Sequence, residues 1–150
     1  MHDDNLFSHC TPNDTEWQSD GLREFFQYRD LGVKAATRGR VLCHLTRAKN
    51  APEKGTGWHY HGADFHIVYM LKGWARFMYE DEVTLVKAGD CVHQRPGIVH
   101  YLFDYSEDME YLEVIGPADY TSVPADAVCE VPAPTPWTTA WLTKCCSSTL

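Results

Sequence analysis

Residues Gly57–Gly73 read GWHYHGADFHIVYMLKG, and residues Gly89–His100 read GDCVHQRPGIVH. In the first, His66 to Leu71 (HIVYML) is a short apolar, β-branched and aromatic run stopped by Lys72-Gly73, the pattern of a buried strand. Side chains two apart on a strand share a face, so His59 and His61 present two imidazoles to the same side. His66 follows five residues later, after Gly62, which permits a turn. His100 enters from far along the chain, just past the Pro96-Gly97 turn.

Outward from these stretches the chain repeats one theme. Phe25 to Tyr28, Val41 to Thr46, Trp74 to Tyr79, Val83 to Val86, His100 to Tyr105 and Met109 to Ile115 are short β-branched and aromatic runs. Gly, Pro and Asp separate them every eight to twelve residues or so, which predicts a sandwich or barrel rather than a parallel sheet with helices. Before Phe25 the chain is mostly polar, with an aromatic patch at Trp17. After Pro117 it turns proline-rich (Pro124, Pro132, Pro134, Pro136), which suits an extended arm over the barrel or between subunits. One domain over residues 1–150 is expected, with its core at about 25–117.

Composition narrows the partners. Lys and Arg number 13 against 21 Asp and Glu, a net charge of −8, which argues against nucleic acid because phosphate binding needs concentrated cations. No apolar run approaches transmembrane length, and no basic amphipathic stretch suggests a membrane surface. Met1 to Asn5 is too acidic and polar to begin a secretory signal. The six cysteines (Cys10, Cys43, Cys91, Cys129, Cys145, Cys146) form no CxxC pair and are too scattered for a disulfide scaffold. Cys43 and Cys91 read as small core residues, and the Cys145-Cys146 doublet as an oxidisable tail. A cytoplasmic protein is expected.

The two opening stretches resemble the cupin motifs. Gly57 to Gly73 is similar to the first, with its His-x-His, a carboxylate some four residues on, and a glycine. Gly89 to His100 is similar to the second, with Gly-Asp and Pro-Gly turns and a final histidine. The resemblance implies an all-β, double-stranded β-helix (jelly-roll) barrel with a metal inside. On this chain the implied ligands are His59, His61, His66 and His100. Nitrogen donors of this kind suit one divalent transition metal ion, Fe, Mn, Ni, Cu or Zn, and are poor for Mg or Ca. His66 stands where the family usually has Glu, and Arg95 where the second motif usually has Pro. Exchanging Glu for His raises the site's charge by one unit, which favours an anionic ligand and the reduced metal. Arg95 reads as solvent-facing, and His2, His9, His44 and His93 as structural or solvent-facing.

Alternation places Val68 and Met70 beside His66, and Leu102 beside His100, on the interior face. They describe an apolar substrate pocket with a cationic floor, fit for a small anionic or chelating organic molecule. Glu113 is either an inward proton-transfer group or a surface glutamate, and Tyr101 and Tyr111 are equally open. Three readings follow. The leading one is a metal-dependent oxygenase of the dioxygenase type. A second is a non-redox isomerase or lyase in which the metal polarises a carbonyl. A third is a binding or sensing module without turnover. An inward base close to the metal favours the second. One small barrel with apolar edges is expected to form a homodimer.

Overall fold

The alternation read in Phe65–Lys72 is the barrel's own. In the computed structural model, which describes residues 5–53 and 55–137, His66, Val68 and Met70 of this strand are buried while Tyr69, Leu71 and Lys72 are exposed. His2 and the Cys145-Cys146 doublet lie outside the described residues.

The elements run β1 (Phe26–Asp30), a one-turn helix α1 (Val33–Ala36), β2 (Leu42–Ala48), β3 (His59–Gly62), β4 (Phe65–Lys72), β5 (Trp74–Tyr79), β6 (Glu82–Lys87), β7 (Cys91–His93), β8 (His100–Tyr105), β9 (Glu110–Gly116) and β10 (Thr121–Pro124). They form two antiparallel five-stranded sheets, ordered β1-β2-β9-β4-β7 and β10-β3-β8-β5-β6. This nearly all-β pair of sheets is the jelly roll expected from the sequence. Between them lies a core that includes Phe26, Val68, Met70, Ala75, Phe77, Val86, Leu102 and Met109. Met70 has no exposure, so truncating it to alanine costs about 2–5 kcal/mol.

The turn at Gly73 shows why that position is glycine. Its φ is 66°, in the left-handed region, and an added Cβ would collide with Ser106, Asp108 and the Met109 backbone. The chain is thereby free to double back from β4 into β5.

Two expectations change. Cys91 is exposed rather than in the core. It lies on a three-residue edge strand paired only with β4, and alternation turns Val92 inward and Cys91 and His93 outward. Cys43 is half-buried. The proline-rich arm also begins with a strand the composition hid. Thr121–Pro124 pairs with β3, and Pro124, lacking an N–H, sits at its end on the sheet edge. Farther on the arm does lie over the barrel. Thr135 binds the buried Asp104 carboxylate through N–H (3.0 Å) and Oγ1 (2.9 Å), and Trp137 Nε1 donates to Tyr105 O at 3.0 Å.

Candidate metal centre

Strand register brings three of the four histidines together. His59 and His61 point inward from β3, and the pairing of β3 with β8 sets His59 opposite His100. The three are 6%, 8% and 3% exposed, and their ligand atoms all lie within 4.8 Å of one another. The ring centroids of His59 and His100 are 4.2 Å apart, and those of His61 and His100 are 5.0 Å apart.

Their hydrogen bonds prepare them to bind an ion. His59 Nδ1 donates to Gly57 O at 2.8 Å, and His100 Nδ1 donates to Ile98 O at 2.9 Å. Each ring proton is thus held on Nδ1, which leaves a lone pair on Nε2. His61 Nδ1, like His66 Nε2 and His44 Nε2, is buried without a hydrogen-bond partner among the described residues, a costly state for a polar atom unless something else satisfies it. Burial pushes all three imidazoles toward neutrality, helped by the neighbouring histidines. His61 is pushed down to about 4 and His100 to about 3, and His59 is lowered too despite its bond to Gly57. Three neutral, close-set nitrogen donors can hold a transition metal ion.

His66 stands beside this group on β4, its ring 5.3 Å from that of His61, and both its nitrogens face other groups. Gln94 Nε2 lies 3.1 Å from His66 Nδ1 and 3.0 Å from His100 Nε2. Because His100 keeps its proton on Nδ1, the Gln94 amide must donate to His100 Nε2. The Tyr79 hydroxyl donates to Gln94 Oε1 at 3.0 Å and fixes the amide that way round. The second amide N–H then reaches His66 Nδ1, which places the His66 proton on Nε2, 3.5 Å from Glu113 Oε2. On the other side of the same carboxylate, His44 Nε2 lies 3.4 Å from Oε1.

Glu113 is therefore an inward residue, 9% exposed, between two imidazoles. Burial alone pushes its carboxyl up. The charges and hydrogen bonds of His66 and His44 outweigh burial and hold it well below the usual carboxylate range. His44 is also part of the site, whereas His9 and His93 are exposed. Arg95 faces solvent in an exposed ion pair with Glu80 at 3.2 Å. Tyr111 is buried on the cavity wall, and Tyr101 packs against Trp58 with ring centroids 5.7 Å apart.

These groups surround a cavity of about 250 Å3. Val68 and Leu102 line it with Phe26, Phe77 and Tyr111, while Met70 lies in the core behind. Gln94 was not singled out in the sequence, and His44, expected to be structural or solvent-facing, instead lines the cavity beside Glu113. The one available signal for His44 was its place on a strand with Thr46, on the face opposite Leu45.

Residues 47–115 match the family model described as Cupin domain. Among solved structures, the polyketide cyclase RemF from Streptomyces resistomycificus superposes with a TM-score of 0.65 at 16% identity, covering 81% of this chain and 87% of that one. The Streptomyces nucleoside dehydratase Pac13 gives 0.55 at 15% identity, covering 85% and 99%. A predicted oxalate decarboxylase from Thermotoga maritima gives 0.53 at 26% identity, covering 69% and 91%. No match was found among curated proteins.

Proposed function

Because this chain is a small cupin-like barrel protein, we propose that it is a metal-dependent, non-redox enzyme that moves a proton on a small organic carbonyl compound. One observation carries this reading: Glu113, buried between His66 and His44, shares the cavity with the His59, His61 and His100 cluster. A divalent transition metal on those three histidines would supply Lewis-acid polarisation of a carbonyl oxygen. His66 is then the proton-carrying neighbour rather than a fourth ligand.

The proton chemistry follows from charge. With both imidazoles neutral, Glu113 and its two histidines carry one negative charge in a buried place. A proton gained by the group as a whole leaves it with no net charge, which burial favours. His66 and His44 hold the Glu113 carboxyl well below the usual carboxylate range, so the carboxylate stays ionised and orients the imidazoles that face it. Gln94 holds the His66 ring from the other side. The fold is also shared by proteins named as a cyclase and a dehydratase, both reactions without net oxidation, which supports this class over the oxygenase expected from sequence.

We place the enzyme in the cytoplasm as a homodimer. The four described cysteines are free, which supports a reducing compartment. No described helix is long and apolar enough to cross a membrane. Exposed Tyr69 and Leu71 on the outer face of β4 support self-association.

The test is proton exchange. Metal-loaded protein is incubated in D2O with a panel of hydroxylated carbonyl compounds, under argon and under air, and followed by proton NMR. Deuterium should enter the carbon next to the carbonyl without oxygen, and Glu113→Gln should slow this about 100-fold or more. Turnover that requires oxygen and consumes it would replace this reading with the oxygenase.

A further inference from the structure

One part of the cavity wall is a loop whose ends are tied together. Gln18 and Tyr28 exchange two backbone hydrogen bonds, Gln18 N to Tyr28 O at 2.7 Å and Tyr28 N to Gln18 O at 2.9 Å. Inside that closure Gln27 Nε2 donates to Ser19 Oγ at 3.1 Å, and Phe26 N donates to Arg23 O at 3.2 Å. The Arg23 backbone N–H donates to the Tyr28 hydroxyl at 3.2 Å. Gly21 is pressed so closely on the Tyr28 ring that an added Cβ would collide with it. The loop is thus seated on Tyr28 at two points, and it contributes Gly21, Leu22 and Arg23 to the cavity wall.

Arg23 is the only Lys or Arg in that wall, just as Glu113 is its only carboxylate. Glu113 already faces two imidazoles. Arg23 is half-buried, and among the described residues no carboxylate pairs with its guanidinium. Burial pushes the Tyr28 and Tyr120 phenols up while Arg23 opposes both, and beside burial Arg23 also helps to lower His59, so its charge is felt within the cavity. The same wall carries an apolar and aromatic band that includes Phe26, Val68, Phe77, Leu102 and Tyr111. A half-buried guanidinium in a cavity wall, with no carboxylate partner among the described residues, is a carboxylate receptor by its chemistry.

We propose that Arg23 sets substrate specificity by receiving a carboxylate carried on a flat apolar body. This deepens the proposed function and rests on it for the identity of the reacting end. The recognition itself is measured without turnover. An aromatic acid binds through Arg23 and the apolar band, and its neutral amide has only the band.

The experiment compares 2-naphthoate with 2-naphthamide by titration calorimetry on metal-free protein, so that no metal competes for the carboxylate. Wild-type protein should bind the acid at least about tenfold more tightly than the amide. Arg23→Gln should remove that preference by weakening the acid alone, and Arg23→Lys, which keeps the charge, should retain part of it. Unchanged thermal melts exclude unfolding as the cause. Equal binding of both probes by wild-type protein overturns the proposal, as does a preference that survives Arg23→Gln. Glu113→Gln should leave the acid-over-amide ratio at or above the wild-type value even though it stops proton exchange. Loss of exchange chemistry and loss of carboxylate recognition are therefore read separately.

Discussion

Gln94 directs its amide nitrogen at Nε2 of His100 from 3.0 Å. The amide thus touches the lone pair that a metal ion would use, while its other N–H holds Nδ1 of His66. One side chain, oriented by the Tyr79 hydroxyl, links the histidine cluster to the His66–Glu113–His44 group. Its position makes the ring protons of the site assignable.

The first prediction is a set of tautomers. In metal-free protein at neutral pH, nitrogen-15 NMR should find the proton on Nδ1 of His59 and His100, and on Nε2 of His66. Gln94→Leu removes the donor that selects the His66 tautomer, so that ring should become a mixture of both forms. His59 keeps its Gly57 bond and should not change. A His66 proton found on Nδ1 in wild-type protein would contradict the assigned network.

Metal retention separates three ligands from four. His59→Ala, His61→Ala and His100→Ala each remove a member of the close-set group, and each should lose bound Zn(II) or Ni(II) on dialysis. His66→Ala should keep about one ion per chain, because Gln94 and Glu113, not the cluster, engage that ring. Metal analysis after dialysis checks both. Loss of metal from His66→Ala would restore the four-histidine site expected from the sequence.

Much of this was legible because strand chemistry is local. The run HIVYML fixed both the strand and its inward face, and HYH followed by the Pro96-Gly97 turn and His100 gave the three clustered nitrogens. The missed features depend on long-range register. His44 meets Glu113 only because β2 pairs with β9 with those two residues directly opposite. Gln94 joins the site from just beyond the short edge strand β7, and as a glutamine it is no part of the histidine pattern. The loop over residues 19–25 is mostly polar and irregular in sequence up to Phe25, and it is closed by the Gln18–Tyr28 pairing. β10 was hidden by proline content, since an edge strand tolerates a proline that a central one does not.

The arm over the barrel makes a third prediction. Asp104 is fully buried and accepts from Arg76 Nε at 2.9 Å, from an Arg76 terminal nitrogen at 2.6 Å and from Thr135 Oγ1 at 2.9 Å. Thr135→Val removes one bond to a buried charge and should cost about 1.5–3 kcal/mol in urea unfolding. Hydrogen exchange should rise over residues 131–137 and stay unchanged at β3 and β8 strand centres. Asp104→Ala is harsher, because Arg76 is only 29% exposed and would lose its partner, at about 3–5 kcal/mol. A Thr135→Val protein with wild-type stability and exchange would show that the arm is not held there.

The last prediction concerns acid. His61 and His100 are held down to about 4 and about 3 in the fold, chiefly by burial, and His59 is lowered as well. In the unfolded chain each returns to its ordinary value of 6.5. Between about pH 6.5 and about pH 4 the unfolded chain therefore binds protons that the folded chain refuses. Stability must fall as pH falls through that window, by up to about 1.4 kcal/mol per pH unit for each such histidine. Glu113, held below its ordinary 4.5, adds the same sign at lower pH. A metal binds only the deprotonated nitrogens of the folded state, so it should raise the melting temperature near pH 7 and lose that effect toward pH 5. Thermal melts of metal-free and Zn(II)-loaded protein across this range check both slopes. His100→Asn should flatten the metal-free curve by removing the most depressed of the three groups. A melting temperature unchanged from about pH 7 to about pH 5 would mean that the folded histidines take up protons as readily as the unfolded ones. The neutral nitrogen cluster would then be wrong.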